Sequence, residues 1–234
     1  MKLGVMQPYL FPYIGYYSLI NYVDEFIFFD TPQYIRKGWI NRNRILKVDG
    51  EPDYFTVPIE KCMRETPINR VRINSNIRWD EKIMGQLTAY KKRAPFYNTV
   101  LDIVQDVFRD EEMISSLCIK SIKKTCQYIG IDTPFKTFSE MDLQITDVKE
   151  PDEWALKITK ATGHQIYVNP PGGMSFFDKE KYVEEGIELQ FLEAELKKYN
   201  QRNGKFEPGL SIIDMMMFLE PEEIREQLQD YRIK

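Results

Sequence analysis

The sequence predicts an α/β fold with a mainly parallel sheet built from βαβ units and a helical insertion. Two observations lead to this prediction. Short apolar segments alternate with helical patterns near both ends of the chain, and the stretch at about residues 79–130 is helical throughout. The 234 residues contain no repeat and no long linker, so we expect a single domain at 1–234 with this insertion or cap.

The chain opens with a predicted βαβ unit. Lys2–Met6 has the character of a short buried strand, an apolar helical stripe begins at Tyr13, and Phe26–Phe29 is a second apolar strand. Parallel strands joined by a helix end at the same edge of a sheet, where α/β proteins usually bind ligands. We therefore expect the loops Gln7–Pro12 and Asp30–Tyr34 to be neighbours at a ligand-binding edge.

The remaining elements follow from spacing and from turn residues. Extended segments are predicted at residues 39–40, 45–48 and 54–59, and helices of the insertion at 79–90, 98–108 and 112–128. After the insertion, strands are predicted at 135–138, 165–169 and 187–192, and helices at 151–162, 178–185, 212–219 and 222–231.

Composition excludes several classes of protein. With 32 basic and 36 acidic residues, the net charge of -4 argues against a general nucleic-acid surface. No apolar stretch approaches the roughly 20 residues of a membrane helix, so no membrane insertion is expected. Three cysteines without a CxxC pair, and a start without a signal segment, favour the cytoplasm. A single histidine argues against a zinc site, so no metal is expected.

The first candidate binding segment follows the first strand. Gln7, Tyr9 and Tyr13 lie at a strand-to-helix junction, where nucleotidyltransferases carry histidines that stabilise a transferred phosphate. Pro12, Tyr13 and Tyr16 stand where those histidines would be. The segment is therefore either a ligand pocket or a rigid aromatic loop that covers the core.

The second candidate segment is the stretch from Asp30 to Arg44. Arg42 and Arg44 alternate on one side of an extended chain, which suits two guanidinium groups to a diphosphate. Side chains that suit the rings and hydroxyls of a nucleotide-sugar surround them: Asp30, Gln33, Tyr34, Trp39, Asn41 and Asn43. The alternative is a charged hairpin on an ordinary surface.

Two further segments contribute candidates. Asn169, Gly172 and Gly173 end a predicted strand at the expected ligand edge, where they form either a binding loop or only a tight turn. His164 titrates near neutral pH but begins that strand, roughly 15 Å away, which favours a capping or core role. Asp214 lies in an apolar helix, where it is either a catalytic carboxylate or a structural one that pairs with an arginine or a capped N–H. The candidate catalytic residues are Asp30, Asp214 and His164.

Four segments together resemble the WbqC-like family: residues 5–16, 33–34 with 39–44, 167–170 with 172–173, and 210–214. Members of that family occur in bacterial O-antigen and related polysaccharide gene clusters. The resemblance implies a role in lipopolysaccharide biosynthesis, in making or modifying nucleotide-linked sugars. It carries over no catalytic residue.

Three functions are compatible with these features. The first is a transferase that modifies a nucleotide-linked amino- or deoxysugar, with an acyl or aminoacyl donor as its second partner. The second is a noncatalytic protein of the same pathway that binds a glycan precursor or another enzyme. The third is a divergent nucleotidyltransferase. The sugar, the donor, the carrier nucleotide, any cofactor and the oligomeric state stay open.

Overall fold

The computed structural model describes residues 1–202 and 204–234. The strands in chain order are β1 (Lys2–Met6), β2 (Glu25–Phe28), β3 (Arg42–Leu46), β4 (Pro52–Thr56), β5 (Phe135–Thr137), β6 (Ile166–Asn169), β7 (Glu188–Ala194) and β8 (Tyr231–Ile233). The α-helices are α1 (Ile14–Tyr22), α2 (Trp79–Leu87), α3 (Tyr97–Phe108), α4 (Ile114–Ile129), α5 (Glu153–Ala161), α6 (Lys179–Glu184), α7 (Ile212–Phe218) and α8 (Pro221–Gln227).

A six-stranded sheet organises the molecule, with the strand order β5-β2-β1-β6-β7-β8. All neighbouring strands are parallel except β7 and β8, which confirms the predicted α/β class. The chain extends the sheet from β1 toward β5 and then returns on the other side of β1 with β6 and β7. The direction of winding therefore switches between β1 and β6, the position where open α/β sheets bind ligands at the carboxyl ends of the strands.

Successive side chains of the central strands alternate between two hydrophobic cores, one on each face of the sheet. Leu3 and Val5 of β1 pack in the smaller core with residues of α5, such as Ile158. Phe26 and Phe28 of β2 point to the opposite face, where the larger core begins. Both faces of the sheet are therefore covered, as the apolar character of the parallel strands requires.

The predicted helical insertion corresponds to α2, α3 and α4, which share the larger core with α1, α7 and α8. The predicted extended segments 45–48 and 54–59 overlap the antiparallel hairpin of β3 and β4, whose strands begin and end two or three residues earlier and in which Arg44 lies opposite Tyr54. Ile40 stays outside the hairpin, because its carbonyl accepts a hydrogen bond from the Leu10 N–H at 3.1 Å.

The C-terminal segment differs from its prediction. The helix expected at 222–231 ends at Gln227, and Tyr231–Ile233 forms β8. The residues of β8 pair antiparallel with the free edge of β7, where Leu192 lies opposite Ile233. Backbone pairing with that edge therefore overrides the local helical pattern.

Gly130 ends α4 in the left-handed region at φ 83°, and Gly85 lies inside α2, where an added Cβ would meet no atom within 4 Å. We expect Gly130→Ala to lower the free energy of unfolding by about 1–2 kcal/mol, because an L side chain disfavours that conformation. Gly85→Ala should raise it by about 0.5–1 kcal/mol, because alanine loses less backbone entropy in a helix. Urea denaturation measures both, and shifts of the same sign would contradict these assignments.

Candidate functional site

A cavity of about 850 Å³ opens at the carboxyl ends of the strands that flank the switch of winding direction. We call it the switch-point cavity. Both loops expected to be neighbours contribute to it, Gln7 and Tyr9 from the first and Thr31 and Gln33 from the second. The turn after β6 adds further residues, Asn169, Pro170, Gly172 and Gly173. Strand topology thus brings three separate segments of the chain to one edge.

Aromatic rings form much of the wall of the switch-point cavity. Phe29 and Trp154 have ring centroids 5.5 Å apart, and Phe176 and Phe177 stack at 4.7 Å. The side-chain amides of Gln7 and Gln33, which also line the cavity, make no hydrogen bond within the described part of the chain, so they are available to a ligand. Such a mixture of apolar rings and a few polar groups is typical of small-molecule sites.

The turn after β6 is built by close packing. A Cβ on Gly173 would lie 2.7 Å from Asn169 Nδ2 and 2.8 Å from the ring of Phe177, so this position requires glycine. Asn169 accepts a hydrogen bond from the Tyr167 hydroxyl at 2.9 Å and donates one to the carbonyl of Pro170 at 2.9 Å. Asn169 therefore lines the cavity, although its polar atoms already bond within the protein.

The loop from Gln7 to Pro12 is held by side chains that bond to its carbonyl groups. Asn43 Nδ2 donates to the carbonyls of Leu10 at 3.2 Å and Phe11 at 2.8 Å, and Ser211 Oγ donates to that of Phe11 at 2.8 Å. Phe11 has the left-handed conformation, with φ 40°. These bonds stabilise a backbone conformation that is costly for a residue other than glycine.

A second cavity of about 270 Å³ lies next to the first, and Tyr9 lines both. We call it the aromatic cavity. Its lining residues are Tyr9, Pro12, Tyr13, Trp39, Asn43, Arg44, Leu196 and Gly209. Apart from Tyr34, Asn41 and Arg42, which line neither cavity, the predicted substrate-binding residues are divided between these two neighbouring cavities.

Arg42 faces neither cavity. Its guanidinium donates to the carbonyls of Lys37 and Gly38, the latter at 3.1 Å, and lies over the Tyr54 ring at 4.5 Å. Arg44 lines the aromatic cavity and pairs with Glu207 at 3.4 Å. The structure therefore does not bring the two arginines together around one cavity, although their spacing had suited both to a shared diphosphate.

Tyr34 and Asn41 serve the scaffold around the hairpin. The Tyr34 hydroxyl donates to Asn41 Oδ1 at 2.7 Å, and Asn41 Nδ2 donates to the carbonyl of Val57 at 2.8 Å. Both residues are buried, and burial raises the pKa of Tyr34 to about 12. Their polar atoms bond to each other and to the backbone rather than facing either cavity.

Two of the predicted catalytic residues lie outside both cavities. Asp30 is buried and accepts hydrogen bonds from the N–H of Ser139 at 3.0 Å and from its hydroxyl at 2.5 Å. His164 precedes β6, at the end of the sheet opposite Asn169, with Nδ1 2.8 Å from the Thr162 hydroxyl. Desolvation lowers the pKa of His164. The position of His164 agrees with the expected separation from the ligand edge.

Asp214 is the centre of a buried network. Its carboxylate accepts hydrogen bonds from the hydroxyls of Tyr90 and Tyr199, both at 2.6 Å, and from Gln201 Nε2 at 2.9 Å. Neutral donors thus replace the arginine partner considered from the sequence. Desolvation raises the pKa of Asp214, because the charged form loses its hydration. The network ties α7 to distant segments of the chain and touches neither cavity.

Sequence reasoning missed one wall of the switch-point cavity. Lys149, Glu150 and Trp154 come from the segment that leads into α5. The available signal was the tryptophan near the start of a helix that begins two residues after Lys-Glu-Pro, but no motif connects this segment with the loops at the sheet edge. Within the described residues, no group of three or more His, Cys, Asp or Glu side chains is placed to hold a metal ion, and no helix has the length and apolarity to cross a membrane.

The comparisons with known proteins agree with the resemblance seen in the sequence. The WbqC-like protein family matches residues 7–226, a range that includes every segment lining the two cavities except the end of β1. The chain belongs to the WbqC-like protein family. The uncharacterized protein Rv1507c of Mycobacterium tuberculosis is 27% identical to this family member over 218 residues, covering 92% of each chain. No solved structure matches the chain.

The raised pKa of Asp214 predicts a pH dependence of stability. The contribution of this carboxyl group to the free energy of unfolding is fully present below its ordinary pKa of 3.8. That contribution is lost as the pH rises through the higher pKa that the group has in the folded protein. Asp214→Asn removes this titration. We therefore expect the unfolding free energy of the wild type, measured by urea denaturation relative to Asp214→Asn, to fall as the pH rises above the ordinary carboxyl value of 3.8.

Asp49→Asn is the control with the opposite sign. Hydrogen bonds from the Glu51 N–H and from Lys47 lower the pKa of Asp49, so the wild type should gain stability relative to that variant as the pH rises. A constant or rising difference for Asp214→Asn would show that burial does not control the ionisation of Asp214.

Proposed function

We propose that this protein binds a nucleotide-linked amino- or deoxysugar in the switch-point cavity and modifies it, by acyl or aminoacyl transfer, in the cytoplasmic steps of bacterial surface-polysaccharide biosynthesis. The observation that carries the proposal is the cavity itself. Its volume of about 850 Å³ and its place at the switch of winding direction are typical of sites for nucleotide-sized ligands. Membership of the WbqC-like family supports the choice of pathway.

The lining of the cavity suits the separate parts of such a ligand. The rings of Phe29 and Trp154 offer faces to a base or a sugar, and the amides of Gln7 and Gln33 can bond to hydroxyl groups. Lys149 contributes the positive charge that a diphosphate requires. The diphosphate would therefore bind to Lys149 rather than to the two arginines of β3.

Transfer of an acyl group to a sugar amine needs orientation and one proton acceptor. The amine nitrogen attacks the acyl carbonyl carbon, the leaving group departs with the electron pair of the broken bond, and the amine loses a proton. Among the described residues that line the cavity, Glu150 has the only carboxylate. Glu150 is thus our candidate for the proton acceptor, because Asp30, Asp214 and His164 lie elsewhere.

A noncatalytic role is the second candidate, and the positions of Asp30, Asp214 and His164 outside the cavity favour it. The two functions differ in turnover. A thermal-shift screen with UDP-, GDP- and dTDP-linked amino- and deoxysugars first finds the ligand, since binding to the folded state raises its apparent stability. Mass spectrometry of that ligand, incubated with the protein and acyl-CoA or aminoacyl donors, then separates modification from binding alone.

Replacing the free amides tests the binding site. Gln7→Ala and Gln33→Ala should each weaken binding of the nucleotide-sugar found in the screen by about 0.5–1.5 kcal/mol, the usual contribution of one hydrogen bond. Isothermal titration calorimetry provides the measurement, and Gln229→Ala, at an exposed position outside the cavity, provides the matched control. Equal affinities of all of these variants for the nucleotide-sugar would show that the sugar does not bind in this cavity.

Replacing the cation tests the diphosphate assignment. Lys149→Gln should weaken binding of the same nucleotide-sugar by about 1.5–3 kcal/mol, the range for hydrogen bonds to charged groups. The loss should shrink at high salt, because ions screen an exposed charge. Arg42→Gln should leave the affinity unchanged. If Arg42→Gln causes the larger loss, the diphosphate binds at the hairpin instead.

A further inference from the structure

Large apolar side chains form the walls of the aromatic cavity, and no part of the described structure fills its interior. Trp39 is 44% exposed, Tyr13 36% and Leu196 38%, and all three line the same cavity as Pro12. Single exposed apolar residues are ordinary on a protein surface, but several that converge on one concave site indicate binding of an apolar group.

The walls are fixed before any ligand arrives. A Cβ on Gly15 would lie 2.5 Å from the ring of Tyr13, so the absence of a side chain at Gly15 lets that ring lie against the start of α1. Trp39, another lining residue, packs against Tyr54 with ring centroids 6.1 Å apart, and the Arg42 guanidinium lies over the Tyr54 ring at 4.5 Å. A preformed site of this kind loses little conformational entropy when it binds a ligand.

Arg44 brings one positive charge to this apolar site, and among the described lining residues it is the only charged one. Its contacts are long. The guanidinium lies 3.4 Å from Glu207 Oε1, 3.5 Å from the carbonyl of Pro208 and 3.4 Å from that of Gly209, and its buried Nε has no hydrogen-bond partner within the described chain. Charge-assisted bonds to a well-placed carboxylate are shorter, about 2.7–2.9 Å. Arg44 is thus incompletely satisfied by its own protein.

We propose that the aromatic cavity is a separate binding site for a small carboxylate with an apolar or planar body. The rings enclose the body, Arg44 binds the carboxylate, and the volume of about 270 Å³ sets the small size. The site itself is independent of the proposed function.

The tryptophans allow each cavity to be measured alone. Trp39 lines the aromatic cavity, Trp154 lines the switch-point cavity, and Trp79 is buried outside both. In Trp154→Phe, titration with benzoate should change the fluorescence of Trp39 in a saturable way. Benzamide, which has the same shape without the charge, should bind at least tenfold more weakly, since it offers Arg44 no carboxylate.

Two further substitutions in the Trp154→Phe protein test the role of Arg44. Arg44→Gln should weaken benzoate binding by tenfold or more. Glu207→Gln should strengthen it, because the carboxylate that competes for Arg44 is gone. Arg72→Gln is the matched control, since that arginine pairs with Glu112 and lines neither cavity. Circular dichroism and thermal melting establish that each variant is folded.

Three results would overturn the proposal: no saturable change with benzoate, equal binding of benzoate and benzamide, or a folded Arg44→Gln protein with unchanged affinity. If Arg44→Gln does not fold, the comparison of benzoate with benzamide and the effect of Glu207→Gln decide in its place. Trp39→Phe, titrated with nucleotide-sugars, reports the switch-point cavity through Trp154. A failure of the proposed function would therefore appear in the Trp39→Phe variant, through the fluorescence of Trp154, and not in the benzoate titration of the Trp154→Phe variant.

Discussion

The side-chain amide of Asn43 holds the loop on which both cavities depend. It lies on the β3 strand of the hairpin and donates to the carbonyls of Leu10 and Phe11, while Ser211, at the start of α7, donates to the same Phe11 carbonyl. The hairpin, the first loop of the sheet and the C-terminal helices therefore meet at one buried group of hydrogen bonds. Low local polarity strengthens such bonds and makes their loss costly. The position of Tyr9 between the two cavities follows from this arrangement.

The parts of the fold that the sequence predicts well are those with local causes. The βαβ unit at the start has apolar residues at strand and helix spacing and a Gln-Pro break between them, so its elements appear where the pattern puts them. The strand at Tyr231–Ile233 has no such cause. Its conformation depends on the edge of β7, which is assembled from residues far away in the chain, and no local pattern contains that information.

The same distinction applies to the site. Gln7 and Asn169 could be placed at one edge because strand direction alone determines where parallel strands end. Arg42 and Arg44 could be placed on one side of a strand, but alternation does not reveal what covers that side, and Arg42 turns to the carbonyls of its own loop. The neutral partners of Asp214 come from segments separated by more than a hundred residues, Tyr90 and Gln201. Contacts of that kind are decided by packing, which spacing does not encode.

The two outer strands of the sheet have a consequence for how this protein behaves at high concentration. Each is only three residues long, and each carries an outward charge at its centre, Lys136 in β5 and Arg232 in β8. Those charges pair with Glu25 and Glu195 of neighbouring segments. Short, charged edges present few unpaired backbone groups to another chain. A sheet with a strongly apolar interior thus gives little template for strand addition between molecules, the first step of β-aggregation.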